Sequence, residues 1–242
     1  QNIIRGIGSS NVKRIIYLGG LGTSTKMLSS HLNSRKKVGE ILRSSNVKCV
    51  ELQASVIIGS GSFSYEIMRS LVERLPIMLT PKWVSSLSQP IWIEDVITYL
   101  YQSMEIDINT SVVIEIGGPD QVTYKELMAL YAKIINKKRI MISVPFLTPN
   151  LSSKWLGLVT PVYARVGKKL IESLKSDSII KNPSSMRIFN IFPLGVEKSL
   201  IETLKSHKNL KEMESRWYDS VSSGVVNYKA NDIQIYKYQY ID

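Results

Sequence analysis

Residues 13–22 read KRIIYLGGLG, a basic pair followed by four apolar residues and then by a cluster of glycines. A short run that is apolar at every position, without alternation, is typical of a strand buried on both faces in a parallel sheet. Gly19 and Gly20 stop the run abruptly, since glycine is favoured where a chain turns tightly. The pattern predicts a buried strand over residues 15–18.

The segments that follow predict a βαβ unit. Residues 34–43 carry apolar side chains at helical spacing, and residues 47–52 and 56–58 are again extended and apolar. A strand, a helix and a strand of these lengths require parallel pairing and a right-handed crossover. They indicate an α/β protein with a doubly wound parallel sheet of the Rossmann type.

The remaining elements are predicted from the same periodicities. Helices are expected at residues 2–9, 64–75, 94–104, 161–175 and 196–206, and extended segments at residues 90–93, 112–116, 139–144 and 225–241. Thr123 and Glu126 have the spacing of a capping box, which begins a further helix at about Thr123. Because each is joined to the next through at least one helix, residues 15–18, 47–52 and 112–116 are expected to be neighbouring parallel strands of one sheet.

The composition is that of an ordinary globular protein of 242 residues, of which 44% are hydrophobic and 21% charged. No apolar run reaches the roughly 18 residues that a membrane span requires. The most apolar segment, residues 144–164, is interrupted by polar residues and prolines. The single cysteine, Cys49, excludes an intramolecular disulfide and a cysteine-based zinc cluster. These features favour a reducing, cytoplasmic compartment and predict no transmembrane segment and no metal site.

The net charge of +11 lies mostly in the second half of the chain. Residues 1–120 carry 12 basic and 10 acidic side chains, whereas residues 121–242 carry 19 basic and 10 acidic ones. The lysines are scattered singly or in pairs such as Lys137-Lys138, without a dense basic run or a nucleic-acid motif. We interpret them as solvated helix faces rather than as a groove for DNA or RNA, and expect no specific nucleic-acid partner.

A series of motifs, taken in order, carries a resemblance to a known family. They are KRIIYLGGLG at residues 13–22, LSSHLNSR at 28–35, VGEIL at 38–42, ASVIIGSG at 54–61, QPIWIEDV at 89–96, IGGPD at 116–120 and TYKEL at 123–127. Their order and spacing resemble an atypical short-chain dehydrogenase/reductase of the NmrA-like, NAD(P)H-binding kind. The resemblance implies a nicotinamide dinucleotide cofactor, either NAD or NADP, and an unknown small-molecule substrate.

Placed on that family, the chain is expected to begin after the first strands of the Rossmann sheet and the glycine-rich turn over the pyrophosphate. Gly6 and Gly8 do not replace that turn, because they lie in a helical segment before a strand, whereas the fingerprint needs a strand first. The resemblance implies that residues 1–145 form the C-terminal part of the NAD(P)-binding domain, with inserted substrate-side helices. Residues 146–242 would form a smaller, mainly helical C-terminal substrate region ending in short strands. Such a chain, expressed alone, would leave one edge of the strand at residues 15–18 open, so we expect it to associate with other chains and to bind dinucleotide poorly.

In catalytic members of the family, a serine ends the strand that residues 15–18 resemble, and a tyrosine and a lysine four residues later open the next helix. By resemblance, those positions hold Gly19 or Gly20, His31 and Arg35 here, so the usual triad is absent. His31 could act as an acid or base near neutral pH, or could cap and pack the loop entering the helix. Arg35 could hold ribose or phosphate oxygens of the cofactor, or could form a surface ion pair. The two glycines could let the backbone pass close to the cofactor, or could form a tight turn.

Two further groups of residues are candidates by resemblance. The first follows the second predicted strand and would border the nicotinamide ring, or would pack in the core: Ala54, Ser55 and Val56. The second would line a substrate pocket, although an indole in an extended segment is more often a core group: Tyr65, Gln89 and Trp92.

The resemblance implies an NAD(P)-binding oxidoreductase-like protein. The alternative is a non-catalytic dinucleotide-binding regulator or assembly factor, which keeps the fold and the cofactor without the usual triad. The absence of the serine, the tyrosine and the lysine favours this alternative.

Overall fold

The computed structural model describes residues 2–8, 10–22, 30–144 and 176–209. The predicted helix at residues 161–175, the predicted strands at 225–241 and nearly all of the apolar segment at 144–164 lie outside these residues. Along the chain the elements are α1 (Asn2–Gly8), β1 (Arg14–Gly20), α2 (Ser30–Arg43), β2 (Lys48–Ala54), β3 (Ile57–Ile58), α3 (Phe63–Arg74), β4 (Ile77–Pro81), a 3₁₀ turn (Lys82–Ser85), β5 (Leu87–Ser88), β6 (Ile91–Trp92), α4 (Ile93–Gln102), β7 (Val112–Ile116), β8 (Val122–Thr123), α5 (Tyr124–Ile134), β9 (Ile140–Val144), α6 (Ser185–Ile188) and α7 (Val196–Asn209).

A parallel three-stranded sheet forms the centre of the described structure. Its strand order is β1-β2-β7, with Leu18 opposite Leu52 and Leu52 opposite Ile114. The prediction of three neighbouring parallel strands is confirmed. So is the α/β class of the fold, because helices and parallel strands alternate along the chain.

The two faces of this sheet differ in character, since successive side chains of a strand point to opposite sides. On one face, Val50 and Leu52 of β2 pack with Val96 and Tyr99 of α4 in a buried apolar cluster. The opposite face lies against α2 and carries Glu51, which is 1% exposed. Helices therefore cover both faces of the sheet, but β2 is apolar on the face toward α4 and partly polar on the face toward α2.

A second core lies between α3 and α5. The rings of Tyr65 and Tyr131 meet edge to face, with their centroids 6.1 Å apart. The Tyr131 hydroxyl donates to Glu73 Oε1 at 2.7 Å, and Arg69 Nε donates to the same oxygen at 3.0 Å. Leu200 of α7 completes this cluster, so the last described helix packs on the same core.

The capping box predicted at the start of α5 is present. Thr123 N donates to Glu126 Oε2 at 2.7 Å, and Glu126 N donates to Thr123 Oγ1 at 3.1 Å. The helix predicted at residues 196–206 is also present as α7. Both helices are therefore predictable from local spacing alone.

The structure differs from the predictions at several elements. The strand β1 continues through Gly19 and Gly20, which were expected to end it, and the short elements β5, β8 and α6 were not predicted. The helix α2 begins at Ser30 rather than at residue 34, and β4 was not predicted. The proline and threonine content of residues 76–81 is typical of a loop, but β4 pairs in parallel with β9, with Ile77 opposite Ile140. The hydrogen bonds that make β4 a strand come from a distant part of the sequence. Among the described helices, none has the length and apolarity needed to cross a membrane.

Candidate functional site

The carboxyl ends of β1, β2 and β7 meet at one edge of the sheet. Gly20 pairs in register with Ala54, and Ala54 pairs with Ile116. Leu21 N donates to Ala54 O at 2.8 Å, which holds the first residue after β1 against the end of β2. In open α/β sheets, ligands bind outside the carboxyl ends of the strands, so this edge is the candidate site.

Gly19 and Gly20 lie close to neighbouring side chains, which would have to shift to admit a Cβ. A Cβ on Gly20 would lie 2.9 Å from Leu32 Cδ2 and 3.7 Å from Arg35 Cδ, both on α2. A Cβ on Gly19 would lie 3.1 Å from Glu51 Oε1. In this structure the close approach that these glycines permit is therefore to α2 and to the Glu51 carboxylate.

Arg35 lies on α2 beside the end of β1. Its guanidinium donates to Leu18 O at 3.5 Å, and its own carbonyl accepts from the Tyr17 hydroxyl at 3.2 Å. Its side chain is exposed, and none of the carboxylates in the described ranges forms an ion pair with it. A solvent-accessible cation is thus held at the carboxyl edge. His31 lies in the first turn of α2, and its side chain is outside the described part.

The three residues that follow or end β2 differ in what they can offer a ligand. Ala54 and Val56 are each 5% exposed and pack into the two cores. Ser55 lies between them, is half-buried, and has its hydroxyl 2.6 Å from the Ser178 hydroxyl. Of these three side chains, Ser55 is the one with a polar group at the edge of the sheet.

The Gln89 side chain forms hydrogen bonds to two separate loops. Its Nε2 donates to Gly118 O at 2.7 Å, and its Oε1 accepts from Ile180 N at 3.0 Å. The amide nitrogen therefore holds backbone at the turn after β7, and the amide oxygen holds backbone of the segment after residue 175. Trp92 is half-buried and occupies the N-cap position of α4.

Tyr65 is 1% exposed and packs between α3 and α5. Burial raises the pKa of Tyr65 well above its usual range, despite the opposing effect of Arg69. The Tyr65 phenol thus lies in the interior, whereas Gln89 lies beside the carboxyl edge of the sheet. Five other candidates lie at that edge: Gly19, Gly20, Arg35, Ala54 and Ser55.

Three acidic residues that the sequence reasoning did not select hold the chain segment at residues 180–196 against this edge. Glu115 Oε2 accepts from two successive backbone amides, Lys181 N at 2.6 Å and Asn182 N at 2.9 Å. Asp95 and Asp120 accept from the backbone of residues 194 and 196 at 2.8 and 2.7 Å. Burial raises the pKa of Asp95, and the hydrogen bond from the backbone opposes that rise. The local signal for Asp120 was its place in the IGGPD motif, after Gly117, Gly118 and Pro119.

Glu51 is a further residue that the sequence reasoning missed. Its carboxylate pairs with Arg43 at the end of α2 and accepts from Gln53 Nε2 at 2.8 Å. Gly39 of α2 lies directly above the carboxylate, so close that a Cβ there would overlap it. An ion pair between the buried Glu51 and the partly exposed Arg43 thus joins α2, which carries Arg35, to the middle of the sheet.

No protein-family model matches this sequence, and a search of curated proteins gives no significant match. Solved structures do match it. An NADPH-dependent quinone oxidoreductase from Escherichia coli superposes with a TM-score of 0.65 at 14% identity, over 84% of this chain and 72% of that one. A nucleoside-diphosphate-sugar epimerase from Staphylococcus aureus gives 0.62 at 10% identity, over 82% and 68%. The Bordetella bronchiseptica enzyme WbmG in complex with NAD gives 0.59 at 12% identity, over 86% of this chain and 63% of that one.

The chain has the fold that these three solved structures share. At identities of 10–14% the likeness concerns the fold. It confirms the Rossmann-type architecture predicted from the strand and helix pattern. The NmrA-like branch named from the sequence motifs stays a prediction.

Proposed function

We propose that this chain belongs to an NAD(P)-binding oxidoreductase-like protein of the atypical short-chain dehydrogenase/reductase class. The observation that carries the proposal is the group formed by Gly19, Gly20, Arg35 and Ser55 at the carboxyl edge of a parallel sheet. Two of the solved structures with this fold support it, since the Escherichia coli quinone oxidoreductase was solved in complex with NADPH and WbmG in complex with NAD.

The proposed binding mode follows from the chemistry of that edge. A guanidinium has several fixed donors and keeps its charge, so Arg35 suits the ribose hydroxyls or a phosphate of a dinucleotide. Ala54 and Ser55 would border the nicotinamide ring, which is flat and can lie against small side chains. Gln89 would contribute to the substrate side by holding the turn at Gly118 rather than by binding substrate itself.

A second candidate function is a dinucleotide-dependent regulator or assembly factor without turnover. It is favoured by one observation, that glycines end β1 where catalytic relatives would have a serine. His31 remains a candidate acid or base for the catalytic alternative. Because both functions use the same cofactor site, cofactor binding tests what they share, and turnover separates them.

The experiment is a titration of the full-length natural protein with NADPH and NADH, followed by nicotinamide fluorescence. We expect saturable binding, and we expect Arg35→Ala to raise the dissociation constant by about fivefold to thirtyfold, as for the loss of one charge-assisted hydrogen bond. Lys37→Ala, two residues further along α2, is the matched control and should change the constant less than twofold, roughly the effect of an exposed charge. Equal effects of the two substitutions would contradict the role of Arg35, and a protein that binds neither cofactor would contradict the proposed function.

Turnover is tested by following NADPH oxidation with quinones and simple ketones as acceptors. Oxidation that depends on both the protein and the acceptor supports the oxidoreductase. Tight cofactor binding without oxidation, together with an unchanged result for His31→Ala, supports the regulator.

A further inference from the structure

Residues 176–182 form part of the carboxyl edge through their backbone. Ser178 N donates to Leu87 O at 2.8 Å, and Gln89 N donates to Ser178 O at 3.1 Å. The Asp177 carboxylate accepts from Leu87 N at 2.8 Å. Three bonds to the segment around β5 thus hold Ser178 in place beside the end of β2.

The Ser178 hydroxyl is the middle of a chain of three hydroxyl groups. Ser178 is 9% exposed, and its Oγ lies 2.6 Å from Ser55 Oγ. It also forms a hydrogen bond with the hydroxyl of Tyr124, the first residue of α5. The chain runs from α5 to the half-buried Ser55 at the end of β2.

The three hydroxyls can be oriented in either of two directions, because each donates one hydrogen and also accepts. If Tyr124 donates to Ser178 and Ser178 to Ser55, the Ser55 hydrogen is available to a ligand acceptor. If the direction reverses, Ser55 has lone pairs available for a ligand donor. Burial raises the pKa of Tyr124 well above its usual range, although the hydrogen bond to Ser178 lowers it in part. The three hydroxyl groups therefore stay uncharged at neutral pH.

An amide group matches this property, since its nitrogen donates and its oxygen accepts. In the proposed function the nicotinamide end of the cofactor, which carries a carboxamide, lies at Ser55. A serine at the end of β2 without a partner would be free to rotate away from such a group. The bond to Ser178 removes that freedom, which would otherwise cost binding energy when the ligand arrives.

We propose that Ser178 is a positioning residue, whose hydroxyl accepts from Ser55 and so fixes the Ser55 oxygen as the hydrogen-bond acceptor for the carboxamide nitrogen of a bound nicotinamide dinucleotide. This role rests on the proposed function. It assigns part of the cofactor site to the segment after residue 175, which is distant in sequence from β1 and β2.

The test compares two probes on the full-length natural protein, NADPH and its 3-acetylpyridine analogue, in which a methyl group replaces the amide nitrogen. The measured quantity is the ratio of the two dissociation constants. Loss of one amide hydrogen bond should reduce the preference for NADPH by about twofold to tenfold. We expect this reduction in Ser178→Ala and in Ser55→Ala, with no further reduction in the double variant. Ser178→Thr keeps a hydroxyl and should restore the preference.

Ser199→Ala is the matched control, because Ser199 is 1% exposed, lies in the same C-terminal segment and bonds to Gly195 O at 2.8 Å without touching Ser55. A purely structural loss would weaken both probes together and leave the ratio unchanged, and thermal unfolding identifies variants that do not fold. A ratio altered by Ser55→Ala but not by Ser178→Ala would overturn the positioning role, as would a ratio altered by neither. A wild-type protein that binds neither probe overturns the proposed function, and this role with it.

Discussion

Replacing Gly39 by alanine should destabilise the protein, although the same change stabilises most helices. In an ordinary exposed helix interior, Gly→Ala gains about 1 kcal/mol of helix propensity. Here the new Cβ would overlap the Glu51 carboxylate, which is 1% exposed and cannot move freely, because it pairs with Arg43 and accepts from Gln53. Overpacking of a buried site costs about 1–3 kcal/mol, and displacing a buried, paired carboxylate adds to that cost. We expect these costs to exceed the gain in helix propensity, so that the free energy of unfolding falls by about 1–3 kcal/mol.

The assay is equilibrium unfolding in urea of the full-length natural protein, followed by circular dichroism. Gly6→Ala in α1 is the matched control, since a Cβ at Gly6 meets nothing within 4 Å, and it should be neutral or slightly stabilising. In the double variant Gly39→Ala/Glu51→Ala the obstacle is gone. The double variant should therefore lose less unfolding free energy than the sum of the two single variants, with a coupling energy of about 1 kcal/mol or more. A Gly39→Ala variant at least as stable as the wild type would refute the reasoning.

Two further predictions concern acidic residues. Burial alone would raise the pKa of Glu73, but hydrogen bonds from Tyr131 and Arg69 lower it on balance below the ordinary 4.5. The ionised carboxylate therefore stabilises the protein above that pH, and this contribution is lost as the pH falls. The free energy of unfolding of the wild type in urea should exceed that of Glu73→Gln by an amount that shrinks between about pH 6 and pH 3. A difference in unfolding free energy that stays constant over this range would contradict the prediction. Asp120 accepts from Val196 N at the start of α7, and Asp120→Ala should cost about 1 kcal/mol, as for the loss of a helix cap. Asp120→Asn, which can still accept, should cost less in the same assay, and equal losses would count against the capping role.

Much of the candidate site could be predicted because the relevant residues lie near the ends of strongly apolar runs. Residues 15–18 and 112–116 are apolar enough to be recognised as strands, and parallel pairing then brings their carboxyl ends to one edge. Gly19 and Gly20 lie at the end of the first of these runs, whereas Arg35 was predicted from the resemblance to short-chain dehydrogenases/reductases, at the position of their usual lysine. Tyr65 was a weaker inference, since an aromatic residue in the first turn of a helix can face a pocket or the core with the same local spacing.

The residues missed from the sequence share a physical cause. Glu51 is one charged residue within an apolar strand, and its partner Arg43 lies on another element. Ser178 has no local motif, and its hydroxyl meets Ser55 across more than a hundred residues of chain. Such pairs depend on how elements pack, and no periodicity along the chain records them.

The sequence by itself determined the order of the longer helices, the parallel sense of β1, β2 and β7, and the edge at which these strands end. These depend on local propensity, on apolar periodicity and on the handedness of crossovers, which act over a few residues or one βαβ unit. Tertiary structure alone decided that β4 is a strand, that Tyr65 is buried and that Ser178 meets Ser55. Each of these depends on hydrogen bonds or burial supplied by a segment distant in sequence, and only the folded chain brings such segments within bonding distance.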